Sequence, residues 1–159
     1  MRILIVSDTH GSHCNLDEVL EREKDIDMLL HLGDVEGDDD YIEAVMECPV
    51  HIVAGNNDYF SYLPREKEIQ IGKYKVFMTH GHNYYVSMST ERLKQAARQR
   101  GVDIVMYGHT HRPKIDVSDD VIVINPGSLS YPRQEGRKAT YVIMEINRAG
   151  EAEFTLHYV

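Results

Sequence analysis

Seven side chains able to bind a metal ion stand at or just past the ends of apolar, strand-like runs: Asp8, His10, Asp34, Asn56, His80, His109 and His111. They lie in the segments Asp8-Thr9-His10, Gly33-Asp34, Gly55-Asn56-Asn57-Asp58, Thr79-His80-Gly81-His82 and Gly108-His109-Thr110-His111. The runs before them are Ile3 to Val6, Met28 to Leu32, Val50 to Ala54, Val76 to Met78 and Val102 to Tyr107. When strand after strand ends in an oxygen or imidazole donor, the edge of a sheet becomes a cluster of ligands. Two Asp, one Asn and four His suit a pair of divalent cations. Such ions, about 3.5–4 Å apart, repel each other and need an anionic bridge; Asp34 is the natural candidate. Imidazole ligands favour Mn, Fe, Zn, Ni or Co over Mg or Ca. Water shared by the ions would lose a proton near neutral pH and attack a phosphate lying across them.

Taken singly, the motifs are ordinary. Asp-x-His occurs in caps, and Gly-Asp in turns. His109 and His111 carry more weight, because alternate residues of an extended segment face the same side. The pattern gains its force from the recurrence of donors at successive strand ends.

The patterning also names the elements that must position these residues. Arg2 to Ser7 reads as a strand buried on both faces. Leu16 to Glu23 reads as a helix with Leu16, Val19 and Leu20 on one side, Asn15 as its N-cap and Glu18 as the capping partner. Met28 to Leu32 is the second strand. Asp38 to Asp40 open a helix through Tyr41 to Met46, Pro49 stops it, and Val50 to Ala54 is the third strand. This β-α-β-α-β order implies parallel pairing through right-handed crossovers. Beyond Pro64, Glu68 to Ile71 and Tyr74 to Met78 flank a hairpin turn at Gly72-Lys73. Thr90 to Arg100 is helical, with Leu93, Ala96 and Ala97 inward and Gly101 as its stop. Val102 to Tyr107, Ile115 to Val117, Val121 to Asn125, Thr140 to Ile146 and Glu153 to Tyr158 are strands, with turns at Asp119-Asp120 and Asn147 to Gly150. About nine or ten strands exceed what one twisted sheet holds comfortably, so two packed sheets with three or four helices outside are expected.

The 159 residues suit a single domain spanning 1–159. With 26 acidic against 17 basic residues, the net charge of −9 argues against a nucleic-acid partner, which would need a basic face. It leaves room for a small phosphorylated substrate, because bound cations reverse the local field. Cys14 and Cys48 read as reduced thiols. The apolar stretch Ile3 to Val6 is too short for a signal peptide. No run approaches the roughly 18 apolar residues of a membrane span. A cytoplasmic location without a membrane partner is the expectation.

The segments, in this order, resemble the signature of the calcineurin-like metallophosphoesterases: D-x-H, G-D, G-N-[H/C]-D, a lone His and G-H-x-H, across residues 7 to 111. The tail Asn125-Pro126-Gly127-Ser128-Leu129-Ser130-Tyr131-Pro132-Arg133 resembles that of a small bacterial and archaeal phosphodiesterase subgroup. The resemblance implies an α/β fold, a four-layer α/β/β/α sandwich of two packed mixed sheets. It implies one ion on Asp8, His10, Asp34 and His111 and another on Asp34, Asn56, His80 and His109, with manganese foremost. The implied reaction is hydrolysis of small phosphodiesters by in-line attack of a metal-bridging hydroxide, without a covalent intermediate.

One position departs from that pattern. Many members carry a His after the metal-binding Asn, thought to protonate the leaving group; here it is Asn57, which can donate a hydrogen bond to phosphate but no proton. Turnover is then expected to be modest and to favour acidic leaving groups. His82, two residues past His80, and Arg133, a guanidinium suited to clamping phosphate, complete the candidate catalytic set. Asp58 is a candidate to orient a ligand or the substrate. His13 reads as a surface-loop residue, His31 as a buried, hydrogen-bonded one, and His51 and His157 as structural. Tyr84 and Tyr85 could stack on an aromatic substrate or form the contact of a homodimer. Glu36 to Asp40 reads as a solvated turn and helix start. Three rivals remain. One is a non-catalytic metal-binding scaffold, as in a eukaryotic retromer subunit resembling this family; another is a phosphomonoesterase or protein phosphatase. The third is a nuclease, disfavoured by the charge and by the lack of a basic groove.

Overall fold

The structure is a computed structural model describing residues 1–118 and 120–159. One sheet contains β1 (Arg2–Val6), β2 (Met28–His31), β3 (Val50–Ile52), β9 (Thr140–Ile146) and β10 (Ala152–Tyr158), in the order β10-β9-β1-β2-β3. The other contains β4 (Glu66–Ile71), β5 (Tyr74–Thr79), β6 (Ile104–Met106), β7 (Lys114–Asp116) and β8 (Ile122–Asn125), in the order β4-β5-β6-β8-β7. Helices α1 (Cys14–Arg22) and α2 (Asp39–Val45) connect the parallel strands β1, β2 and β3. Helix α3 (Glu91–Arg100) connects the parallel pair β5 and β6. Parallel strands leave their C-terminal ends on one side, where the donors of the sequence motifs sit.

Side-chain alternation along the strands builds the layers. Ile3 and Ile5 of β1 share a core with Val76 and Met78 of β5 and Ile104 and Met106 of β6, between the sheets. The intervening Leu4 and Val6 pack with Leu16 and Val19 of α1 and Ile42 of α2. Phe77 and Val105 pack with Leu93 and Ala97 of α3. The result is the four-layer α/β/β/α sandwich, with each fully buried aliphatic side chain contributing about 1.5–3 kcal/mol.

Several boundaries move. Helix α1 starts at Cys14 with His13 at its N-cap. Asn15 is therefore inside the helix, and its amide donates to the Leu129 carbonyl instead of capping. Helix α2 starts at Asp39 and ends at Val45. Strands β3 and β6 end at Ile52 and Met106, earlier than the apolar runs suggest, because the chain leaves the sheets to build the site loops. A single 3₁₀ turn, His82–Tyr84, sits between left-handed Gly81 and Tyr85 (φ 96° and 55°). The Gly72-Lys73 hairpin joins Ile71 to Tyr74 as expected. In the Asp119-Asp120 turn, Asp119 lies outside the described residues. Both cysteines are free thiols, and no helix among the described residues is long and apolar enough to cross a membrane.

Candidate metal centre

The chain turns sharply after β1, β2 and β6. Asp8, His10, Asp34, His109 and His111 all have left-handed backbone, with φ of 55°, 50°, 54°, 68° and 56°. L side chains adopt this region at a cost, which functional sites sustain through the surrounding structure. Here adjacent loops hold one another. The Asp8 N–H donates to the Gly33 carbonyl (3.0 Å), the His10 N–H to the Asp34 carbonyl (2.9 Å) and the Gly108 N–H to the His80 carbonyl (3.2 Å). The His109 N–H donates to Asp8 Oδ2 at 3.2 Å. A Cβ added to Gly55 would lie 2.0 Å from Asp34 Oδ1, and one on Gly108 2.0 Å from Ser7 Oγ. The glycines of the G-N and G-H motifs are where one donor loop lies directly against the next.

Three imidazoles are anchored through Nδ1: His80 to the Leu32 carbonyl, His111 to the Tyr131 carbonyl and His10 to Glu36 Oε1, each at 2.7 Å. With the proton on Nδ1, each Nε2 presents a lone pair to the site. His109 instead turns Nδ1 inward, 2.8 Å from Asn56 Oδ1. His10 Nε2 and His111 Nε2 lie 3.3 Å apart, His80 Nε2 lies 3.1 Å from Asn56 Oδ1 and His111 Nε2 lies 3.1 Å from Asp8 Oδ1. Asp34 Oδ2 is 3.5 Å from His80 Nε2 and 3.9 Å from His10 Nε2, so it adjoins both halves of the cluster. One donor atom each from Asp8, His10, Asp34 and His111 all fall within 4.8 Å of one another. Asp8 Oδ1 is buried without a hydrogen-bond partner among the described residues.

Two buried carboxylates among inward-facing lone pairs are costly unless positive charge lies between them. Mixed carboxylate, amide and imidazole donors suit divalent transition metals, and the seven residues fit that requirement. Burial alone would raise the Asp34 carboxyl, but the His80 imidazole, the Asn57 N–H and His10 outweigh it and hold it at about 2. Burial opposes charge on His80, yet Asp34 and Asp8 draw its pKa upward. Partial burial and the neighbouring His80 push His109 down.

The profile of the calcineurin-like phosphoesterase superfamily domain matches residues 1–149. The chain belongs to this superfamily. It is 31% identical over 156 residues to the probable metallophosphoesterase YsnB of Bacillus subtilis, covering 97% of this chain and 90% of that protein. It is 31% identical over 145 residues to phosphodiesterase MJ0936 of Methanocaldococcus jannaschii, covering 80% and 83%. Wild-type Vps29 of Entamoeba histolytica, crystallised in complex with Zn²⁺, superposes with a TM-score of 0.78 at 25% identity over 99% of each chain.

The other candidates of this phosphoesterase domain occupy distinct places. The Asn57 side chain donates to Asp34 Oδ2 (3.1 Å) and accepts from the Asn56 amide (3.1 Å), while its backbone N–H donates to Asp34 Oδ1 (2.9 Å). Its amide thus braces two donor residues instead of pointing into open space. The His82 ring lies 5.5 Å from that of His80 and 6.1 Å from that of His109, with a buried, unpartnered Nδ1. Burial and those two neighbours lower the His82 pKa. Arg133 is tied to the site by its backbone N–H, which donates to the His111 carbonyl at 2.9 Å. Asp58 accepts from the N–H groups of Gly55 (2.7 Å), Glu36 (2.7 Å) and Val35 (3.3 Å), clamping the turns that carry Asn56 and Asp34. His13 stays outside, against Tyr41 and Asp38. Tyr84 donates to Glu66 and packs on Phe77; Tyr85 is exposed beneath Arg92.

Sequence reasoning missed Glu36, read as solvated turn, although its carboxylate orients His10. It also missed the role of the Asn125–Ser130 tail. Asn125 donates to the Gly108 carbonyl (2.9 Å), Ser128 to the Asp8 carbonyl (2.9 Å) and Ser130 to the Thr9 carbonyl (2.6 Å). The only sequence signal for either was proximity: Glu36 to Asp34, and the tail to a strand end.

Proposed function

We propose that this domain is a dinuclear, divalent-metal-dependent phosphodiesterase acting on small diesters with acidic leaving groups. Asp8, His10, Asp34 and His111 would hold one ion and Asp34, Asn56, His80 and His109 the other, with manganese foremost and Ni, Co, Fe or Zn as alternatives. The observation that carries the reading is the buried, partnerless Asp8 Oδ1 among imidazole lone pairs. Divalent ions held there would supply positive charge to a phosphoryl group and acidify water. The chain's own residues set the geometry. Glu36 and the backbone carbonyls of Leu32 and Tyr131 hold three imidazoles in the tautomer that leaves Nε2 free. Asn57 braces Asp34 and has no proton to give, which favours leaving groups that depart without one. His82 stands beside the rings of His80 and His109, and Arg133 meets the incoming negative charge. The name of the relative MJ0936 supports diesters as the substrate class, and zinc-complexed Vps29 supports a transition-metal site.

Metal-stripped protein should be assayed with bis(p-nitrophenyl) phosphate and p-nitrophenyl phosphate after reloading with each divalent ion. Manganese-dependent hydrolysis favouring the diester is expected. Preference for the monoester would point to a phosphomonoesterase, and bound metal without hydrolysis of either ester would point to a scaffold.

A further inference from the structure

On a chain with nine more acidic than basic residues, the arginines beside the donor loops are not scattered. Arg112 directly follows His111, and its Nε donates to the Arg133 carbonyl at 3.3 Å. Arg133 in turn holds the His111 carbonyl through its backbone. Two adjoining grooves flank this pair. One, of about 590 Å³, adds Lys114, Thr110 and Tyr107. The other, of about 710 Å³, adds Arg137, Ser130 and Tyr131. No carboxylate among the described residues lines either groove. Among the described residues, no acid pairs with the guanidinium groups of Arg112, Arg133 or Arg137, all exposed. Another groove differs: the one beside Asn57 is lined by Glu36, Asp39 and Asp58 with the exposed aromatic rings of Tyr59, Phe60 and Tyr62. The site therefore adjoins both a cationic rim and an acidic, aromatic one.

We propose that Arg112, Arg133 and Arg137 form a subsite for a second phosphoryl group, so that the preferred substrate is a small diester carrying a further phosphate. This rests on the phosphodiesterase reading and names its substrate class. Guanidinium groups suit phosphate because their planar forks pair with two oxygens at once. The groove lined by Glu36, Asp39 and Asp58 disfavours the same group, which leaves the arginine-lined grooves as its place.

The subsite is tested apart from turnover by titrating EDTA-treated protein with inorganic pyrophosphate in a calorimeter. Saturable binding that weakens with added NaCl is expected. Arg112→Ala and Arg137→Ala should each weaken it by about tenfold, the loss of one charge-assisted contact. Arg148→Ala, in the β9–β10 turn at the far end of β1, should not. Absence of binding, or equal binding by the Arg112→Ala/Arg137→Ala double variant of unchanged melting temperature, would overturn the subsite. On manganese-loaded protein, the p-nitrophenyl ester of thymidine 5′-phosphate should show a KM about tenfold above that of the same ester bearing a 3′-phosphate. Equal KM values would also overturn it. If neither ester is hydrolysed, the diesterase reading fails while the pyrophosphate titration still decides the subsite.

Discussion

A single methyl group at Gly55 probes how closely the donor loops are fitted. Its Cβ would meet Asp34 backbone nitrogen at 2.3 Å as well as Oδ1 at 2.0 Å, so no side-chain rotation relieves the clash. Gly55→Ala should destabilise the fold by about 1–3 kcal/mol or more and displace Asp34, with manganese affinity falling in parallel. Urea melts with and without the metal check both effects. His31 offers a second test. It is fully buried, accepts from the Gly33 N–H on Nδ1 and is bonded to Thr9 through Nε2. Burial lowers its pKa from 6.5 to about 4. Between those values the unfolded chain binds a proton that the folded chain refuses, so stability falls as pH drops from 6.5 to 4 and levels off below. The contribution is about 3 kcal/mol. In metal-free protein, His31→Gln should flatten that part of the pH–stability curve relative to wild type; an identical slope would refute the assignment. At this scale the sequence displayed the donors, because His, Asp and Asn at strand ends are visible by type and spacing. The groups that orient them were hidden, since the carbonyls of Leu32 and Tyr131 carry no side-chain signature.

Strands and helices were legible where apolar periodicity is long and unlegible at their ends. Thr140–Ile146 was read to the residue, while β3 and β6 lose their last apolar residues to the site loops. Asn15 has the chemistry of a cap, but the Leu129 carbonyl offers it a long-range partner that local pattern cannot anticipate. The segment after β8 shows what such contacts achieve. Buried Asn125 donates to the Gly108 carbonyl and Thr110 Oγ1 and accepts from the Gly127 N–H at 2.8 Å. Asn125→Ala leaves the buried Gly127 N–H unpaired, at a cost of about 1–3 kcal/mol, and removes one of the two donors to the Gly108 carbonyl. It should lower the melting temperature and weaken metal binding through His109 and His111, with less effect on chemistry elsewhere. Unchanged metal affinity in that variant would show that the tail does not support the loop.

For the whole molecule, two packed sheets deliver donors from both halves of the chain to one edge, so metal occupancy and global stability are coupled. At an ion concentration a hundred times Kd, binding to the folded chain alone adds about 2.7 kcal/mol per site. For a domain of this size that corresponds to about 5–10 °C per ion, so chelation of both should lower the melting temperature by about 10–20 °C, which a thermal melt with and without EDTA measures. Net charge was the least informative property read from the sequence. The −9 total spoke against a basic groove, yet the fold gathers Arg112, Arg133 and Arg137 along one side of the site, because charge placement is set by topology and not by composition.

The most direct test is to titrate metal-free protein with Mn²⁺, count bound ions per chain by elemental analysis and record the electron paramagnetic resonance spectrum. Two ions with a spin-coupled spectrum are expected, with Asp34→Asn retaining at most one and losing the coupling. A wild-type chain that binds no manganese, or binds two ions that do not sense each other, would contradict a centre bridged by Asp34.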